Sequence, residues 1–211
     1  MEPGLFPLRR TGLRLAPMRE AANAFLAALT PAQLAHTQFP VGSDVRRRWN
    51  NVASAPRFGI SYAEMSPVQR QRADGLLQAF LSAEGYRQSK DIMLINGYLA
   101  EATGNTTRYG ADQFWISVYG NPAGTQPWAW RLEGHHLVLF VSVVGDQVVM
   151  TPLFVGSEPV IAPLGKYKGT AILQAEQSEG LKMLRMLNAD QRKAATLSVS
   201  KTANNNLTEA F

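Results

Sequence analysis

The 211-residue chain contains no cysteine. That absence removes disulfides, thiolate metal sites, iron–sulfur clusters and cysteine nucleophiles, while leaving the compartment open. Long apolar runs are missing too: Leu137–Val144 is the longest, far short of the ~20 residues a membrane helix needs. There is no G-x-S-x-G elbow, G-x-G-x-x-G fingerprint, P-loop or H-E-x-x-H pair, so the common serine-hydrolase, dinucleotide, nucleotide and zincin patterns do not apply. Ser157 lies in Gly156-Ser157-Glu158-Pro159, where the proline blocks the strand–turn–helix geometry of a nucleophile elbow. Histidine is scarce, with only His36, His135 and His136.

What remains is a globular composition, 45% hydrophobic and 18% charged, too apolar for disorder. The net charge is +5, which invites a nucleic-acid reading. All of the excess lies in residues 1–57, where eight arginines face Glu2, Glu20 and Asp44. Residues 58–211 are balanced and have no surplus for a phosphate-binding groove. Arg46-Arg47-Arg48 is the one dense basic cluster, and a solvated loop accounts for it more readily than a phosphate site. The distribution argues against nucleic acid as a partner.

Residues 1–17 lack the apolar core and cleavage site of a secretory signal, and with Pro3, Pro7 and Pro17 read as a poorly ordered arm. A cytoplasmic location is the default expectation. One domain is expected over 18–200, with 201–211 as a tail. Apolar spacing predicts a helix over 18–29, and Thr30-Pro31-Ala32-Gln33 opens another with a capping box. Residues 40–60 read as loop. Ser66-Pro67-Val68-Gln69 opens a helix predicted to run to Gly85, and a further one spans about 89–102. From residue 113 the texture is β: Phe114–Tyr119, a long run over 128–144, a Gly145-Asp146 hairpin turn, and a return over 147–153. Helical spacing resumes around Leu173–Leu187 and after Asn188. The expected fold is α+β: a small, mainly antiparallel sheet with 137–144 central, flanked by N- and C-terminal helices.

Two weak signals precede the strong one. Gly165–Thr170 could present amides to an anion but reads better as an ordinary loop. Glu176 and Glu179 share a helix face, where charges are usually solvated. The segment that stands out is Pro127-Trp128-Ala129-Trp130-Arg131-Leu132-Glu133-Gly134-His135-His136-Leu137. On an unbroken strand Trp128, Trp130, Leu132 and His136 would share one face, and Arg131, Glu133 and His135 the other. Adjacent histidines could then chelate one ion only if Gly134 supplied a bulge or bend. Imidazoles are ligands for zinc, copper and iron. His135 and His136 are therefore candidate metal ligands, with Glu133 as a third ligand or proton acceptor and all three as candidate catalytic groups. Half-buried histidines bonded to backbone carbonyls are the plainer alternative. Trp128, Trp130 and Arg131 are candidate groups for a small ligand, although a tryptophan pair is more often core.

The ordered set Gly59-Ile60, Tyr119-Gly120-Asn121-Pro122, Pro127-Trp128-Ala129-Trp130, Glu133-Gly134-His135-His136-Leu137 and Thr151-Pro152-Leu153-Phe154-Val155-Gly156 resembles the bacterial domain-of-unknown-function family 3500, over about residues 19–197. That family implies no established activity. The resemblance implies longer relatives, often exported, that continue into a part with an H-x-H motif, so that two central and two late histidines would form a metal site. This chain reaches Phe211 without an H-x-H, which would leave half of such a site. The chain is then expected to be a truncated product, a diverged paralogue, or one whose further ligands come from a partner. The functional expectation is a metal-binding domain or metal-dependent enzyme. The alternatives are a small-ligand module built on the tryptophans and a domain without a site.

Overall fold

The computed structural model describes residues 10–197. The arm predicted over 1–17 and the tail over 201–211 fall wholly or partly outside them. Two compact units divide the chain, one reaching Ile172 and the other beginning at Leu173.

Helix α1 (Ala16–Ala27) begins with Pro17 in its first turn, where a missing N–H costs nothing, and buries Ala22 and Phe25. Just before it, the amides of Thr11 and Gly12 donate to the Asp146 carboxylate at 2.8 and 2.9 Å. Helix α2 (Pro31–Thr37) carries the expected Thr30/Gln33 capping box. Helix α3 (Pro67–Phe80) has the same box from Ser66 and Gln69, and buries Ala73, Leu76 and Leu77.

Here the boundary differs from expectation. The helix ends at Phe80 rather than near Gly85, because Ser82 caps a new one by accepting from the Gly85 amide at 3.0 Å. That helix, α4 (Ala83–Thr103), ends at Gly104, which takes the left-handed conformation at φ +67°. No described helix is long and apolar enough to cross a membrane.

Among the described residues the sheet has six strands: β1 (Gln38–Phe39), β2 (Ile60–Ser61), β3 (Phe114–Tyr119), β4 (Trp128–Gly134), β5 (Leu137–Val144) and β6 (Gln147–Val155). Its order is β1-β3-β4-β5-β6, with β2 pairing to β3. The β1–β3 pair is parallel and the others are antiparallel. The α+β class, the Gly145-Asp146 turn and the interior position of 137–144 match the sequence. The single β run expected over 128–144 does not: the chain reverses at residues 135–136, and β4 pairs back on β5 with Gly134 opposite Leu137.

Alternation gives the sheet two different faces. Trp128, Trp130 and Leu132 pair across the ladder with Val143, Val141 and Leu139. Phe80 closes on this apolar face, 5.9 Å from the Trp128 ring and 5.3 Å from Trp130. The indoles are 1% and 0% exposed. Burying on the order of 200 Å² each, they supply roughly 5 kcal/mol apiece before entropy, so they are core.

The opposite face carries Arg131 and Glu133 beside Ser117, Tyr119 and Phe140. Residues of the 43–58 segment bond to it. Arg131 donates to the Val45 carbonyl at 3.2 Å, and Arg57 donates to Glu133 Oε1 at 2.7 Å.

In the second unit, α5 (Gln174–Met186) is followed by α6 (Ala189–Ala195), which opens with an Asn188/Gln191 capping box.

Candidate metal centre

His135 and His136 are the two corner residues of the β4–β5 hairpin. A two-residue corner between twisted strands calls for positive φ, which glycine and asparagine adopt most readily. Here His136 takes it, at φ +60°. Two backbone bonds fix this conformation: the His136 amide donates to the Asn51 carbonyl at 3.1 Å, and its own carbonyl accepts from the Gly156 amide at 2.8 Å.

The reversal changes the geometry that an unbroken strand would impose. Instead of pointing to opposite faces, the rings sit side by side, with centroids 4.1 Å apart. Gly134 is not the agent. It lies in the regular ladder, and its missing side chain makes room for Phe114, whose Cδ1 would stand 2.2 Å from a Cβ there.

The third member of the cluster comes from the segment after β6. Because β5 and β6 pair from Val144–Gln147 to Leu137–Val155, the residues beyond Val155 must run alongside the corner. Glu158 reaches it there. Its Oε2 lies 3.3 Å from His136 Nε2 and 3.7 Å from His135 Nε2. Ligand atoms of the three residues all fall within 4.8 Å of one another. Gly156 keeps the space beside the second ring clear, since a Cβ there would stand 3.2 Å from His136 Nδ1.

The remaining nitrogen of His135 faces α4. Its Nδ1 is 3.0 Å from Asn96 Oδ1, while Asn96 Nδ2 donates to the Gly110 carbonyl at 2.8 Å. With the amide nitrogen spent on a carbonyl, Oδ1 accepts and His135 Nδ1 carries the hydrogen. The Nε2 lone pair is thereby turned toward Glu158. Burial, reinforced by the neighbouring His136 and by Arg57 and Arg108 against the pull of Glu158, pushes His135 down to about 4. The ring is therefore neutral near pH 7. Exposure rises from 11% at the His135 side chain through 25% at His136 to 64% at Glu158, so the cluster opens to solvent on the carboxylate side.

The other residues singled out in the sequence lie elsewhere. Glu133 is 1% exposed and set among two guanidiniums, 2.7 Å from Arg57 Nη1 and 2.6 Å from Arg131 Nε. It also accepts from the Asn50 amide at 3.2 Å, next to the Asn51 carbonyl that holds His136. Its contact with the corner therefore runs through the backbone of residues 50–51. Trp128, Trp130 and Arg131 are all buried, so their side chains offer no surface to a ligand. His36 pairs at 3.9 Å with Glu64. Two open cavities of about 340 and 330 Å³ flank Trp49, and neither is lined by the histidines or Glu158.

Glu158 and Asn96 escaped the sequence reading. Both left a trace: Asn96 is a polar residue one turn beyond Ile92 on the buried side of α4, and continuing the β5–β6 ladder past its last pair leads toward Glu158.

Comparison with curated proteins and with solved structures yields no match. A family model described as "Protein of unknown function (DUF3500)" matches residues 11–211. The span covers nearly the whole chain, and the chain belongs to that family.

Proposed function

We propose that His135, His136 and Glu158 bind one divalent transition-metal ion, and that the chain is a metal-dependent enzyme or metal-binding domain built around it. The observation carrying this reading is that one carboxylate oxygen faces Nε2 of both adjacent imidazoles, at 3.3 and 3.7 Å. Tetrahedral donors at roughly 2.0–2.1 Å from an ion stand about 3.3–3.4 Å apart, so the spacing suits such an ion. The chemistry supports it as well. The tautomer of His135 aims a lone pair, not a hydrogen, at an acceptor oxygen, and a cation between them relieves that opposition.

Two neutral imidazoles and a carboxylate suit zinc, iron or copper. Three protein ligands leave a coordination position open, as catalytic rather than structural centres do. When bound, the ion would act as a Lewis acid on water or an oxygen-bearing ligand. Asn96 fits the outer partner that orients a ligating histidine. Glu133 acts in this reading as a positioning residue, holding the 50–57 segment from which Asn51 grips the corner.

The test is metal analysis of protein purified without chelator, followed by titration with Zn(II). About one equivalent should bind, and the His135→Ala/His136→Ala double variant should bind none at the same concentrations while retaining its circular dichroism. Failure of the folded wild-type protein to bind stoichiometric metal would overturn the proposal.

A further inference from the structure

Beside the histidines, the turn after α4 brings a different kind of group. Asn96 ties this turn to the imidazole, since the same amide that accepts from His135 donates to the Gly110 carbonyl. The Tyr109 ring lies 5.3 Å from the His135 ring, and the Arg108 guanidinium carbon stands 5.7 Å from the Tyr109 centroid. Arg108 is exposed. Its backbone amide donates to Asn105 Oδ1 at 3.1 Å, and its guanidinium lies over the Tyr109 ring. No described residue gives its guanidinium a hydrogen bond or an ion pair.

A divalent ion on two neutral imidazoles and one carboxylate keeps one net positive charge and an open coordination position. Arg108 adds a second positive charge, on a planar fork shaped for paired oxygens. Glu158 is already counted as a ligand, Glu133 is engaged with Arg57 and Arg131, and Asp112, four residues after Arg108, pairs with Arg70 at 3.0 Å. The local balance therefore favours an incoming anion.

We propose that this centre takes a small anionic ligand bearing a carboxylate or phosphate group. One oxygen completes the metal's coordination, Arg108 pairs with another, and the Tyr109 ring walls the site. This inference rests on the metal reading above and assigns its substrate class.

The experiment uses Co(II) in place of the native ion, with inorganic phosphate and oxalate as probes. Co(II) uptake is followed first by its visible absorption, and each anion is then titrated into the loaded protein. At least one anion should perturb the visible bands. Arg108→Gln should weaken that anion's binding by about tenfold or more while leaving Co(II) affinity within about threefold. Arg72→Gln, on exposed α3 surface, should change neither. Loaded protein whose spectrum ignores both anions, or an Arg108→Gln variant that binds them as tightly as wild type, would overturn this proposal alone. Absence of Co(II) uptake would overturn the metal reading and this one with it.

Discussion

Asn96 Oδ1 accepts a hydrogen bond from His135 Nδ1 at 3.0 Å, across 39 positions of sequence. The contact decides which nitrogen of the imidazole is a donor and which can be a ligand, so a helix outside the β4–β5 hairpin sets its chemistry.

Replacing Asn96 tests that link. Asn96→Ala leaves the His135 ring free to rotate and to change tautomer, and metal affinity should fall roughly 10- to 100-fold. Isothermal titration with Zn(II), at a temperature where circular dichroism reports a folded variant, measures the loss. An unchanged affinity would show that the ring is held by other means.

Gly156 permits a cleaner perturbation of the second imidazole. Its φ is unremarkable, but an added Cβ would press on His136 Nδ1 and Phe154 Cε1, both at 3.2 Å. Gly156→Ala should lower metal affinity by about tenfold, on the order of 1.4 kcal/mol, with little change in thermal midpoint. Equal losses of both would indicate general damage to the loop.

Charge on Glu133 should matter chiefly to stability. Glu133→Gln leaves Arg57 and Arg131, 6% and 0% exposed at their side chains, without their counter-ion. Breaking a buried ion network from one side costs about 3–5 kcal/mol. Urea unfolding of the metal-free protein reads this directly, and a loss below about 1 kcal/mol would contradict the role assigned to the carboxylate.

The pH dependence follows from His135. Its folded value is pushed down to about 4 by burial, with His136 adding to the effect, whereas the unfolded ring titrates near 6.5. Between those values the unfolded chain holds more protons than the folded one. Stability of the metal-free protein is therefore full above about pH 6.5 and declines as pH falls toward 4, by on the order of 1–2 kcal/mol after solvent screening. Imidazole resonances in an NMR titration supply the check: the His135 signal should have its midpoint near 4, and a midpoint near 6.5 would be inconsistent with the packing described.

Much of the architecture could be read directly from residue patterns. Capping boxes at Thr30, Ser66 and Asn188 announced three helix starts, and Gly145-Asp146 announced a hairpin. These are local chemistry, written in adjacent residues. The division between α3 and α4 was harder, because Ser82 and Gly85 lie inside continuing apolar periodicity and only the cap separates the helices. The turn at 135–136 was harder still. His-His carries no turn signature, and the residues on both sides favour strand. The histidines could be named as candidates, but their convergence depends on a reversal that strand pairing imposes. Glu158 depends on that same pairing carried through a second hairpin.

The left-handed corner at His136 sets two demands against each other. Torsion alone would choose glycine or asparagine there, since a bulky side chain at φ +60° costs on the order of 1 kcal/mol. His136→Asn should accordingly raise the unfolding free energy of the metal-free protein by several tenths of a kcal/mol or more, and abolish its response to added Zn(II). Thermal melts with and without the ion would expose both halves of that trade. Durability alone would favour asparagine at this corner, so a metal ligand at His136 would be held there at a torsional cost.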